Sequence, residues 1–103
     1  MRILGIGVDI IKNKRIRSLI KNETFISRIF SKNEIINSKK FSNKTNYYSK
    51  RFAAKESFTK AIGSGVRDGL NFKDIEISND TYGKPYYVLN KKIKKFIFKK
   101  KKS

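Results

Sequence analysis

The stretch RFAAKESFTKAIGSG (residues 51–65) decides how the rest of the chain is read. It reads as the second half of a helix that begins near residue 45, runs to Ile62 and closes with Gly63 or Gly65 in the left-handed position. In a chain with 26 Lys and Arg against 8 Asp and Glu, it places a rare carboxylate, Glu56, among Arg51, Lys55 and Lys60. Glu56 and Lys60 are four residues apart and share one helix face, with the small Ala53 close to it.

A second acid stands out in LGIGVDII (residues 4–11), an apolar run broken only by Asp9. Residues 2–11 are β-branched and apolar, the pattern of a buried strand. Asp9 falls at its end, where the chain leaves a sheet and loops expose functional side chains. Two carboxylates plus substrate phosphates are the usual setting for magnesium, and Lys60 would add a point charge for a phosphate. Each residue alone also has a plainer reading. A Glu–Lys pair at this spacing is commonly a solvated surface pair, and an Asp after a strand is commonly a cap or turn residue. A GSG at a helix end is commonly a cap, because phosphate loops precede helices.

Composition narrows the chemistry. A chain of 103 residues is expected to form one domain over 1–103 with a single modest core. With no cysteine and no histidine, disulfides, the usual zinc sites and Ser–His or Cys–His catalysis are excluded. Any metal must be a hard one held by oxygen, and acid–base work falls to Asp, Glu, Lys, Tyr or water. No signal peptide or membrane span is read, so a cytoplasmic location is expected.

The net charge of +18 suggests nucleic acid, but Lys, Asn, Ile and Phe supply 52 of 103 residues, and all four use codons rich in A and T. Lysine outnumbers arginine 20 to 6, whereas base and phosphate readout favours the arginine fork. The excess charge still attracts anionic partners.

Along the chain, residues 14–21 place Ile16, Leu19 and Ile20 at helical spacing, and residues 24–30 fit a second short helix. Ser31 and Glu34 fit a capping box ahead of Ile35 and Ile36, and residues 37–46 read as a loop or weak helix end. KDIEIS (residues 73–78) and YYVL (residues 86–89) have the strand period and flank the turn-rich NDTYGKP, so they predict a hairpin. NKKIKKFIFKKKKS closes the described pattern with Ile93, Phe96 and Ile97 at helical spacing in a lysine run. The order strand, helices, hairpin, basic helix gives an α+β fold class.

Three segments together, GIGVDI (residues 5–10), RFAAKESFTKAIGSG (residues 51–65) and FKDIEISND…GKPY (residues 72–86), resemble the holo-[acyl-carrier-protein] synthases, the small bacterial type of 4'-phosphopantetheinyl transferase. The resemblance covers residues 2–89. It implies transfer of the phosphopantetheine arm of coenzyme A to a serine of acyl carrier protein for fatty acid biosynthesis, with release of adenosine 3',5'-bisphosphate. It also implies that Asp9 and Glu56 hold magnesium and that Lys60 lies near the pyrophosphate. In a chain without histidine, a metal-bound water oriented by Glu56 suits the role of base. Arg15 matches a position in the first helix that grips the acidic carrier. Gly63, Gly65, Lys84 and Pro85 match positions around the coenzyme A pocket. The family is a homotrimer whose closing strands, bearing a His-Val-Ser type motif, serve a neighbouring subunit's coenzyme A site. Here residues 99–103 read KKKKS instead, and Lys12 stands where the family usually has Glu. A shortened, inactive copy is the alternative that these departures raise.

Two readings compete from other classes. A basic nucleic-acid-binding module would rest on the net charge and the Tyr and Phe content, although the aromatic residues fit core positions as well. A membrane-surface anchor would use KKIKKFIFKKKK as an amphipathic helix on anionic lipid.

Overall fold

The computed structural model describes residues 10–62 and 70–102, with side chains over 15–61 and 70–98. Four helices come first: α1 (Ile10–Leu19), α2 (Glu23–Ile29), α3 (Lys32–Ser38) and α4 (Lys44–Ile62). A 3₁₀ turn (Phe72–Asp74) leads into a two-stranded hairpin, β1 (Ile77–Asn79) and β2 (Pro85–Tyr87), and α5 (Lys91–Lys102) follows. The predicted strand over 2–11 lies mostly outside the described residues. Its last two residues, Ile10 and Ile11, are helical, a correction that shows β-propensity yielding to the packing of α1 on α4.

Each short helix has a side-chain start signal. Asn22 Oδ1 accepts from the Thr24 and Phe25 N–H groups at 2.9 and 3.2 Å. At α3 the capping box is closed in both directions: Ser31 Oγ accepts from Glu34 N at 3.1 Å, and Glu34 Oε1 accepts from Ser31 N at 2.8 Å. Ser31→Ala is expected to cost about 1 kcal/mol, read as a fall in melting temperature. An unchanged melting temperature would mean that the cap adds nothing beyond water.

α4 is the spine, because both apolar clusters take residues from it. One cluster joins Ile16, Phe30, Tyr47 and Tyr48, with Phe25 and Phe52 packed beside them. The other joins Ala54, Phe58, Leu70, Ile75, Ile77, Tyr87 and Ile93. Fully burying each large aliphatic or aromatic side chain stabilises the fold by roughly 1.5–3 kcal/mol.

The hairpin is antiparallel, with Ile77 opposite Tyr87 and Asn79 opposite Pro85. Its tip is set by Asp80, whose Oδ1 accepts from the Tyr82 and Lys84 N–H groups at 2.9 Å each, and by Gly83 at φ +82. The strand expected over 73–78 is shorter than its alternation suggests. Asp74 Oδ2 accepts from Asn71 N at 2.9 Å and Ile75 N donates to Phe72 O at 3.1 Å, so this local bonding replaces a ladder until Ile77. The second strand is likewise displaced to Pro85–Tyr87, and one further bond runs from Val88 N to Glu76 O at 2.9 Å.

The basic terminal helix forms, and its apolar stripe faces inward. Asn90 Oδ1 caps Ile93 N at 2.9 Å, Ile93 is 1% exposed, and Phe96 and Ile97 pack against the second cluster. The residues on which a lipid anchor would depend are therefore used by the core, apart from the exposed Phe98.

Lys92 Nζ pairs with Asp74 Oδ2 at 2.7 Å and ties this helix to the 3₁₀ turn. Partial burial alone would raise the Asp74 pKa, but hydrogen bonds from Lys92 and Asn71 and the nearby Lys92 and Lys73 charges outweigh it and hold the carboxyl below its usual range. Because the folded pKa is the lower one, this stabilisation is present above the unfolded carboxyl's pKa and lost as pH falls through the folded value. The melting-temperature difference between wild type and Asp74→Asn is expected to shrink with acidification over that window.

Candidate functional site

Two opposite faces of α4 carry charged side chains. Glu56 and Lys60 lie one turn apart on one face; Glu56 is half-buried and Lys60 exposed. Ala53 and Ser49 stand one and two turns earlier on the same side, and both are buried. Among the described residues, no three His, Cys, Asp or Glu side chains cluster to hold a metal. Asp9, the expected second half of the pair, lies outside the described residues, as do Gly63 and Gly65. Glu56 itself suits a hard cation: a carboxylate, half-buried, with a lysine one turn away to meet a bound phosphate.

The opposite face opens on a groove of about 470 Å³. Tyr47, Lys50, Arg51 and Ala54 line it from α4, Phe41 from the loop before it, and Ile77, Asn79 and Pro85 from the hairpin. Arg51 is 5% exposed, and its guanidinium carbon sits 3.8 Å from the centre of the Tyr47 ring. Its Nη2 donates to Asn79 Oδ1, while Nε has no hydrogen-bond partner among the described residues. Burial pulls the guanidinium's pKa down and Tyr47 and Glu34 oppose it; the group remains cationic, since arginine does not deprotonate in proteins. Burial likewise pushes the Tyr47 phenol up to about 12, which keeps it a donor, and it donates to the Glu34 carbonyl. With Lys50 exposed on the rim, the groove combines two cations with aromatic walls and so suits an anion carrying a flat ring.

Between the two faces lies a buried ion pair that sequence reasoning missed. Lys55 and Glu34 side chains are both 0% exposed and meet at 2.7 Å. The ammonium donates to Glu34 Oε1 at 2.7 Å, Phe72 O at 2.9 Å and Ile75 O at 2.7 Å, so all three donors are used. Glu34 accepts from Ile77 N at 3.1 Å as well. Burial lowers the Lys55 pKa, and the Glu34 carboxylate pulls it back upward.

Of the residues expected at the site, Glu56 and Lys60 are together, whereas Pro85 lines the groove on the other side of α4. Tyr47 and Glu56 are nine residues apart, roughly two and a half turns, which puts them on opposite sides. Lys84 is exposed at the hairpin tip next to Pro85. Arg15 is exposed on α1, with Arg17 and Lys21 also exposed nearby. The groove residues Tyr47, Lys50 and Arg51 were not read from the sequence. The available signal was their spacing of three to four residues, which places two cations and a tyrosine on one helix side.

A profile of the 4'-phosphopantetheinyl transferase superfamily matches residues 5–102. The chain is 58% identical over 100 residues to holo-[acyl-carrier-protein] synthase of Pelagibacter ubique, covering 97% of this chain and 78% of that one. It is 44% identical over 99 residues to the synthase of Fusobacterium nucleatum, covering 96% and 80%. Its fold is similar to the crystal structure of the Neisseria meningitidis synthase, with a TM-score of 0.79 at 37% identity over 94% of this chain and 79% of that one. A synthase from Bacillus anthracis in complex with CoA (3',5'-ADP) aligns with a TM-score of 0.67 at 39% identity, over 85% and 76%. A match that runs through α4 and the hairpin, at such identity and with the same fold, leaves one assignment: the chain belongs to the 4'-phosphopantetheinyl transferase superfamily.

Proposed function

We propose that the chain transfers 4'-phosphopantetheine from coenzyme A to a serine of apo acyl carrier protein. The observation that carries this reading is the match over nearly the whole chain to relatives named for that activity. The serine oxygen forms a bond to the β-phosphorus of coenzyme A, the phosphoanhydride bond breaks, and adenosine 3',5'-bisphosphate leaves. The serine proton passes through water toward a Glu56 carboxylate oxygen, in a protein without histidine. Lys60 offsets charge developing on the phosphates. Glu56 and Asp9 are the residues that would hold magnesium, which when bound neutralises the pyrophosphate and orients it. Gly63 and Gly65 would border the same pocket, and exposed Arg15 would meet the carrier.

The groove at Arg51, Tyr47 and Pro85 is suited to the phosphorylated nucleotide end of coenzyme A. That groove and Glu56 lie on opposite sides of α4, so one coenzyme A spanning both would need the groove of a second copy. This favours sites shared between subunits, the arrangement expected of the homotrimer that the resemblance implies. The reading also places the protein in the cytoplasm, in the route to fatty acids. Among the described residues, no helix is long and apolar enough to cross a membrane.

The test is the intact mass of apo acyl carrier protein after incubation with this protein, coenzyme A and magnesium. A gain of one phosphopantetheine that vanishes with chelator supports the reading; a folded protein that yields no gain would instead favour an inactive copy. Lys50→Ala, at an exposed rim position, is expected to raise the KM for coenzyme A roughly fivefold, the worth of about 1 kcal/mol, with little change in kcat.

A further inference from the structure

Lys55 has no part in the chemistry proposed above, yet its ammonium is fully buried and every donor is engaged. A methionine would fill much the same space without desolvating a charge, and a buried ion pair is weak evidence for stability. What the pair adds is direction. Its acceptors stand on two separate segments, Glu34 on α3 and the Phe72 and Ile75 carbonyls around the 3₁₀ turn. Much of the remaining contact on this side of α4 is apolar, from Ala54 and Phe58 against Ile75, Ile77 and Ile93. Apolar packing of that kind loses uniqueness before it loses stability. Other tethers lie elsewhere along the helix: the Tyr87 hydroxyl donates to Ala54 O at 2.8 Å one residue earlier, and nearer the start of α4 Arg51 Nη2 donates to Asn79 and the Tyr47 hydroxyl to the Glu34 carbonyl.

Glu56 follows Lys55 directly, and successive helix residues diverge by roughly 100°. Seating Lys55 in its socket therefore sets the direction of Glu56 and, one turn on, of Lys60. We propose that Lys55 is a positioning residue: its ion pair with Glu34 fixes the rotation of α4 that presents Glu56 and Lys60 for the transfer. This rests on the transfer reading, in which Glu56 is a metal ligand.

The test compares a neutral pair, Glu34→Gln with Lys55→Met, against Ile93→Ala and the milder Ile93→Val, which weaken the same core without touching the socket. Two quantities are read in the full-length protein: manganese affinity by electron paramagnetic resonance of the free ion, and amide hydrogen exchange along α4 without metal. The neutral pair is expected to bind manganese about tenfold more weakly and to lose protection within α4, while the Ile93 variants melt earlier but stay within about twofold of wild-type affinity. Transfer kcat should fall in the neutral pair with the KM for coenzyme A nearly unchanged. Wild-type affinity and wild-type α4 protection in the neutral pair would overturn the proposal, as would an equal loss of affinity in the Ile93 variants. A wild-type protein that takes up no manganese would remove the metal role of Glu56. The exchange comparison still decides the lock in that case, since unchanged α4 protection rejects it.

Discussion

Lys55→Met alone is expected to lower stability by about 3–5 kcal/mol, because it leaves the Glu34 carboxylate buried without its counter-charge. Glu34 would keep the Ser31 and Ile77 N–H groups but lose the ammonium at 2.7 Å, and the Phe72 and Ile75 carbonyls would lose their donor. Domains of this size are typically stable by about 5–15 kcal/mol, so the loss is a large fraction of the total. Urea denaturation followed by circular dichroism should show a lower midpoint with an unchanged slope, the signature of altered stability alone. Adding Glu34→Gln should recover part of the loss by removing the orphaned charge. A midpoint close to wild type for Lys55→Met would mean that water reaches Glu34 and that the pair is not desolvated. The expected size of the effect follows from burial: an exposed pair at the same distance contributes about 0–1 kcal/mol.

The features legible in the sequence are those that local chemistry determines. The start of α4 is placed to within one residue, at Lys44 rather than Thr45, and the hairpin turn follows from Asp80, Gly83 and Pro85. The capping box at Ser31 and Glu34 was readable from spacing. The second role of Glu34 was not, because its partner lies 21 residues away and a lysine is by default solvated. The strand expected over 73–78 begins only at Ile77, because Asp74 offers the backbone a local partner that alternation alone does not reveal. The one-turn relation of Glu56 to Lys60 depends only on four-residue spacing in a helix and was legible. The groove was missed because its walls come from residues 41–54 and 77–85, which only the tertiary fold brings together.

Glu56→Ala is expected to abolish magnesium-dependent transfer, a fall of at least roughly 10²–10³-fold, the scale at which losing one preorganised electrostatic group acts on a rate. Asp9→Ala should do the same, and full activity in either variant would remove the site assignment. The loss at Glu56 is separable from unfolding. Alanine is the best helix former, Glu56 is only half-buried, and the variant should melt near the wild-type temperature. Lys60→Ala should cost less, because magnesium would still neutralise part of the phosphate charge. The informative contrast is Glu56→Gln, which keeps the shape of the side chain and one oxygen but loses its charge. If Glu56 holds the metal, this variant should need more magnesium for half-maximal transfer, and excess metal should restore part of the rate. If Glu56 serves instead as proton acceptor without binding metal, the rate should fall by the same factor at every magnesium concentration, since an amide accepts no proton at neutral pH. The magnesium dependence of this single substitution therefore separates the two roles that one carboxylate can have in a chain without histidine.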